Sequence, residues 1–272
     1  MDELKDFLEK NADKDLISST CLEEARTLFS LSHAEVERRA LQSSLLPARY
    51  QRNRNSISVK QQLKLFSSRV AVVGCGGLGG YIIEELARLG VGNLVIIDPD
   101  VFEEHNMNRQ LFSSPKSLGL AKVAVAARRI GEVNPAVSVE SVKTRLSGVN
   151  GTELFAGVDV VVDATDNITA RLEMATICRG LSIPLVHGAI AGWYGHVCTI
   201  FPEDMTLEKI YHNWQDGSGI EQDLGNPSFT PALVASIEVA ETCKILLNQK
   251  GLLKNRKLTI DLLDMEIEHI YL

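Results

Sequence analysis

From residue 69 onward, short apolar runs alternate with longer stretches whose apolar residues recur every three or four positions. RVAVVG, NLVIID, AVSVESV, VDVVVDA, IPLVHGA and GHVCTIF are the short runs, rich in β-branched residues, and each predicts a strand, the first of them buried. Between them, GLGGYIIEELARLG predicts a helix with its apolar face at Ile82, Ile83, Leu86 and Leu89, stopped by Gly90. SLGLAKVAVAARRIGEVN predicts another, ended before Pro135, and ITARLEMATICRG a third. TPALVASIEVAETCKILLNQ predicts a long helix with Pro231 in its first turn. KLTIDLL and IEHIYL then predict a closing antiparallel pair. Strand–helix alternation of this kind predicts an α/β chain: a doubly wound, mostly parallel Rossmann-like sheet, helices on both faces, antiparallel strands at its C-terminal end.

Residues 1 to about 50 carry a different pattern. DELKDFLEKN, CLEEARTLFS and SHAEVERRALQSSLL have helical spacing, with Ser32 and Glu35 forming a capping box, and no strand is expected there. We therefore divide the chain into a helical appendage over 1–48 and one larger domain over 49–272. The second and third of these helices have helix-turn-helix spacing, but the latter is not basic, so a pad for a partner or sister subunit is the better expectation.

Composition narrows the classes further. The chain has 272 residues, 45% of them hydrophobic, enough for one large α/β domain and a small addition. Its 28 basic residues face 35 acidic ones, for a net charge of −7, with no basic block to favour nucleic acid or an anionic membrane. MDELKDFLEKNADKD lacks the apolar core of a signal peptide, and no run approaches membrane-spanning length. Cys21, Cys75, Cys178, Cys198 and Cys243 are odd in number and include no C-x-x-C pair. That count fits neither a disulfide framework nor a zinc site, so a reduced, cytoplasmic protein is expected.

The stretch VVGCGGLGG, residues 72–80, places Gly74, Gly76 and Gly79 as G-x-G-x-x-G between a strand and a helix. Such glycines permit a tight turn and let backbone N–H groups approach a phosphate, or serve only to pack helix against strand. Asp98, at the next strand's end, suits a ribose hydroxyl. NAD and ATP share the adenosine half, so the turn alone leaves both open. Residues downstream weigh on the choice. Asn106, Asn108, Arg109 and Gln110 follow the ribose-binding strand; Lys122 opens the next helix; Asp163, Asp166 and Asn167 end another strand. In a doubly wound sheet these strand ends converge on one crevice. Cations and a carboxylate would then meet beyond the ribose, where a nicotinamide wants an apolar slot. That set suits a polyphosphate with Mg2+. Singly, each has a plainer role: Arg109 a surface ion pair, Lys122 a solvated helix residue, Asp166 a helix N-cap.

The ordered series RVAVVGCGGLGG, LGVGNLVIIDPDVFEEHNMNRQLF, LGLAKV, DVVVDATDN and IPLVHGAIAGWYG resembles the ThiF/MoeB/HesA family, bacterial relatives of ubiquitin-activating enzymes, over residues 49–272. The resemblance implies ATP as the nucleotide and adenylation of the C-terminal glycine of a small ubiquitin-like sulfur carrier ending in Gly-Gly, with release of pyrophosphate. It implies Gly74, Gly76, Gly77 and Gly79 as the phosphate turn, Asp98 at the ribose, and Asp100 as a further polar contact. Asn106, Arg109, Gln110 and Lys122 match phosphate-holding positions, Asp166 matches the Mg2+-associated aspartate, and Asn167 stands beside it in the cofactor set. ARYQRN resembles a segment whose arginine reaches the ATP of a partner subunit, which implies a homodimer; Arg52 aligns best and Arg54 competes. Arg109, Lys122, Asp166 and Arg52 are thus the expected catalytic groups.

The chemistry agrees with this inventory. A peptide carboxylate is ionised at neutral pH and needs no general base, only alignment and charge compensation at the α-phosphate. The chain departs from many relatives in lacking two C-x-x-C pairs, so no zinc is expected. It also lacks a cysteine in the loop after GHVCTIF, so the reaction is expected to stop at the acyl-adenylate. Cys75 is expected to fill the turn, and Cys178, Cys198 and Cys243 the core. His187 and His196 are expected to be structural, and His105 has no assigned role. The long loop over 202–228 could clamp a partner's tail, with Tyr211 and Trp214 touching the tail or packing on the body. Other classes stay in play: adenylation of a small-molecule or tRNA-linked carboxylate, NAD-dependent oxidoreduction, or an inactive scaffold.

Overall fold

The structure is a computed structural model that describes residues 3–212 and 224–272. Three short helices lead: α1 (Glu3–Asn11), α2 (Ser19–Leu28) and α3 (His33–Gln42). Ser32 caps α3 in the expected box with Glu35. Their apolar faces close a small core of their own around Leu8, Ile17, Ala25, Val36 and Ala40. One expectation fails here. Two-residue strands β1 (Leu16–Ile17) and β2 (Leu46–Pro47) pair in parallel, too short to leave any period in the sequence. A 3-10 turn over Ala48–Asn53 and helix α4 (Val59–Ser67), capped by Ser58 and Gln61, were likewise not foreseen. A buried polar cluster joins this part to the rest. Tyr50 Oη donates to Glu37 of α3 at 2.6 Å and accepts from Asn134 at 2.8 Å, and Arg49 bonds Asn134.

The main sheet takes β3 (Arg69–Val73), β4 (Asn93–Ile97), β5 (Ser138–Val142), β6 (Val160–Asp163), β7 (Leu185–Ala191), β8 (Tyr194–Ile200), β9 (Arg256–Asp261) and β10 (Glu266–Tyr271) in the order β10-β9-β8-β7-β6-β3-β4-β5. From β7 through β5 the strands are parallel, and β9 and β10 add on antiparallel as expected, joined by β8, which is antiparallel as well. Helices cover both faces. Helix α5 (Gly77–Leu89), helix α6 (Lys122–Val133) and the long helix α10 (Phe229–Leu246) lie on one side, and Ile82, Leu86, Ile130 and Val234 fill the core they share with the sheet. On the other side, the short helices α7 (Gly151–Leu154) and α9 (Thr206–Ile210) flank helix α8 (Ile168–Leu181), whose Met174 and Cys178 pack with Leu185 and Cys198.

Gly90 ends α5 in the left-handed conformation, φ +78°, as the sequence implies. Helix α6 starts later than expected, at Lys122 rather than near Ser117. Gly119 has φ +76°, and bridges from Val101 to Ala121 and Phe102 to Leu118 tie that segment to the loop after β4. From β3 the chain winds outward through β4 and β5, then returns to place β6 on the other side of β3. The crevice between the carboxyl ends of β3 and β6 is therefore the switch point where such sheets bind ligands.

Candidate nucleotide cleft

Both strand ends at the switch point turn sharply. Val73 pairs with Asp163 in register, so the two turns run side by side. Gly74 has φ +100°, and a Cβ there would meet Ala164 O at 2.5 Å. A Cβ on Gly79 would lie 1.8 Å from Gly74 O. These two positions require glycine, one for backbone conformation and one for the approach of α5 to the turn. Gly76 is the N-cap of α5 and no side chain caps it, so the first N–H groups of this 13-residue helix face the cleft with its positive dipole end.

A cleft with about 1070 Å³ of empty space, its open mouth included, lies against these turns. Gly74, Gly76, Gly77, Asp98, Asp100, Arg109, Gln110, Lys122, Asp166 and Asn167 all line it. So ten residues from five separate stretches meet in one place. Asp98 is buried and anchors the turns: its Oδ2 accepts from Cys75 N at 2.7 Å and its Oδ1 from Asp100 N at 2.8 Å. Lys122 is buried to all but 9% of its side chain and reaches Asp100 Oδ2 at 3.3 Å, so its ammonium is already turned into the cleft. Arg109 is held by His105 O and Asn108 Oδ1, both at 3.0 Å. That gives His105 a role through its backbone. Asp166 is exposed on the cleft wall, and Gln110 Oε1 is buried without a partner.

Other expected site residues sit elsewhere. Asn106 is buried and does not line the cleft. Its Oδ1 accepts from Glu103 N, and its carbonyl takes Arg109 N and Gln110 N, so it shapes the loop that carries them. Gly79 acts through packing alone. Asn167, rather than Asp166, caps α8 by accepting from Ala170 N at 2.9 Å. Asp163 is not on the cleft wall; it is fully buried against His187. Neither Arg52 nor Arg54 lines the cleft: Arg54 pairs with Asp15, while Arg52 is exposed.

Several lining residues escaped the sequence reading. Thr144, Arg145 and Leu146 follow β5, so the strand-end rule that found Asp98 would have found them. Arg171 and Ile190 had no such signal. They form a wall shared with a second groove of about 1060 Å³, whose floor includes Ala189, Ala191, Gly195, His196 and Tyr211. Tyr211 packs on the body and also faces this groove. Trp214 lies outside the described residues.

Burial settles the thiols. It pushes Cys75, with help from the Asp98 charge, and Cys198 well above the usual thiol range, and Cys178 up to about 12. None of these is a thiolate at neutral pH. Burial also lowers the pKa of His187 and drives that of His196 far down. Among the described residues no group of three or more His, Cys, Asp or Glu is arranged to hold a metal ion, and no helix is long and apolar enough to cross a membrane. A single carboxylate such as Asp166 still fits Mg2+, which keeps most of its ligands as phosphate oxygens and water.

A model of the ThiF family matches residues 50–272. The SAMP-activating enzyme E1 of Haloferax volcanii is 37% identical over 218 residues, 79% of this chain and 81% of that protein. The molybdopterin-synthase adenylyltransferase of Haemophilus influenzae is 30% identical over 222 residues, 80% of this chain and 90% of the relative. Other relatives are longer: the chain spans about half the length of the adenylyltransferase and sulfurtransferase MOCS3 of Anopheles gambiae. Among solved structures, Escherichia coli MccB with ATP superposes with a TM-score of 0.67 at 19% identity, covering 92% of this chain and 82% of MccB, a likeness of fold.

Proposed function

Because the chain belongs to the ThiF family and is an adenylyltransferase of that kind, we propose that its cleft binds ATP with Mg2+ and that it joins AMP to the C-terminal glycine carboxylate of a small ubiquitin-like sulfur carrier. One observation carries this reading. Lys122, Arg109 and an uncapped helix N-terminus converge on the cleft together with Asp166, where a nicotinamide would need an apolar slot.

The Gly74–Gly79 turn and the first N–H groups of α5 offer donors to phosphate oxygens. Lys122, now on Asp100, is close enough to exchange that carboxylate for phosphate. Asp98, with Asp100 beyond it, offers carboxylate acceptors to ribose hydroxyls. The carrier's carboxylate oxygen attacks the α-phosphorus, the bond to the bridging oxygen breaks, and pyrophosphate leaves with that electron pair. Arg109 and Lys122 offset charge on the oxygens during transfer. Asp166 would hold Mg2+ beside the phosphates, and the ion would supply further charge neutralisation when bound.

The second groove gives the tail a path. It shares Arg171 and Ile190 with the cleft, and Ala189 and Ala191 present only small side chains along it, which suits an extended Gly-Gly segment. Arg52 is exposed and outside its own cleft, so its reach is toward a partner subunit's nucleotide in a homodimer, with residues 1–48 as the unit that supports it. Mixing Arg52→Ala and Asp166→Ala subunits then restores about a quarter of the activity, because random heterodimers keep one intact site of two.

The direct test is exchange of labelled pyrophosphate into ATP. Exchange is expected only with a carrier ending in Gly-Gly and not with the same carrier lacking its last two residues. Exchange driven instead by a small carboxylate would move the substrate, and oxidation of NADH would replace the reading.

A further inference from the structure

The turn that carries Asp166 is held by a buried cluster on its far side. Thr165 N and Oγ1 donate to Asp163 Oδ1 at 2.9 and 2.7 Å, and Thr165 O accepts from Arg171 Nη2 at 2.8 Å. Thr165 O belongs to the peptide plane that leads into Asp166, so fixing that oxygen fixes the rotation of the plane and the direction in which Asp166 leaves it. Arg171, only 4% exposed, uses the other arm of its guanidinium on Tyr211 Oη at 2.9 Å. Tyr211 Oη in turn stands 3.2 Å from His187 Nε2, whose ring bonds Asp163 Oδ2 at 2.7 Å and closes the circuit. Arg171 lies in the wall shared by the cleft and the groove, and Tyr211 lies on the groove floor.

We propose that Arg171 and Tyr211 are positioning residues: through Thr165 they set where the Asp166 carboxylate points, and they link that setting to the groove. The inference rests on the nucleotide reading of the cleft. It depends on a rigid planar fork whose two arms reach acceptors on opposite sides, a spacing that a lysine's single ammonium does not span.

The test uses the full chain, Tyr211→Phe, Arg171→Lys and the double variant, titrated with a fluorescent ATP analogue in Mg2+ and again in EDTA, beside thermal melts. In EDTA the affinities are expected to match the unmodified protein. The tightening that Mg2+ brings should shrink about fivefold to tenfold in each variant, the scale of one ordinary hydrogen bond. The double variant should be no worse than Arg171→Lys, since both break one link. Unchanged Mg2+ tightening in the single variants overturns the inference. So does a parallel fall of both affinities with the melting midpoint, which marks a merely structural role. Asp166→Ala separates the two levels: if it keeps the Mg2+ tightening, the role given to Asp166 fails first. An unmodified chain that does not bind the analogue overturns the nucleotide reading and this inference with it.

Discussion

The turn after β3 and the turn after β6 face the same crevice and leave strands that end in register, but they are built from different material. The first is backbone. Its shape follows from glycines at Gly74 and Gly79, where any side chain would strike main-chain atoms, and its ligand-facing groups are N–H donors at the end of α5. The second is held by side chains: Asp163, Arg171, Tyr211 and His187 bond one another in the interior and grip Thr165 from behind. The backbone wall tolerates no added atom at Gly74 or Gly79, whereas a side-chain wall can be loosened by degrees.

The largest expected effect tests the backbone wall. Gly79→Ala would drive a Cβ into Gly74 O, costing about 3 kcal/mol or more and abolishing nucleotide binding. Urea denaturation with a binding titration checks both. Near-normal stability would show that the approach of α5 relaxes easily and that the contrast between the walls is false.

Next in size is Asp166→Ala. Asp166 is exposed, so stability should stay within about 0.5 kcal/mol of the unmodified protein while pyrophosphate exchange falls about 10²–10³-fold. Arg109→Ala should do the same. Exchange that survives either change removes that residue from the site.

Acid acts on the side-chain wall through its buried histidines. Burial lowers the pKa of His187 and His196 below 6.5, so the folded protein binds fewer protons than the unfolded chain once pH drops under that value. Their effect on stability is nil above about pH 7. It then becomes destabilising as pH falls, by up to about 1.4 kcal/mol per pH unit for each histidine, until the folded pKa is reached. Asp163 acts lower still. Burial opposes its charge, but the His187 bond and Arg171 hold its pKa below the ordinary value, so its contribution is lost only as pH falls through that lower value. Denaturation at several pH values should show the slope, and His196→Gln should halve it. An unchanged slope in that variant would place the titrating groups elsewhere.

The smallest effect is Cys198→Ala, expected to cost about 1 kcal/mol of packing and to leave exchange intact. A large loss of exchange would give the thiol a chemical task that its burial argues against.

The same contrast explains what was legible in the sequence. Backbone geometry announces itself: Gly74, Gly79, Gly90 and the runs of β-branched residues follow from local rules, and with them came the mostly parallel sheet and the strand-end residues expected to share one crevice. The side-chain wall depends on partners far apart in the chain, such as Arg171 with Tyr211 and Asp163 with His187, and no local period encodes such pairs. Hence Asp163 was placed in the crevice rather than behind it, and Arg171 was not seen. Strands β1 and β2 were missed because two residues carry no alternation. The late start of α6 was missed because tertiary bridges at Val101 and Phe102 override a helical-looking segment.

The central claim is that the crevice grips a triphosphate and not a flat redox ring. Calorimetric titration of the full chain with ATP in Mg2+, followed by NAD in competition, tests it most directly. Saturable binding of ATP that NAD does not displace, and that is lost in Lys122→Ala, is the predicted result. Tight binding of NAD with ATP excluded would contradict it.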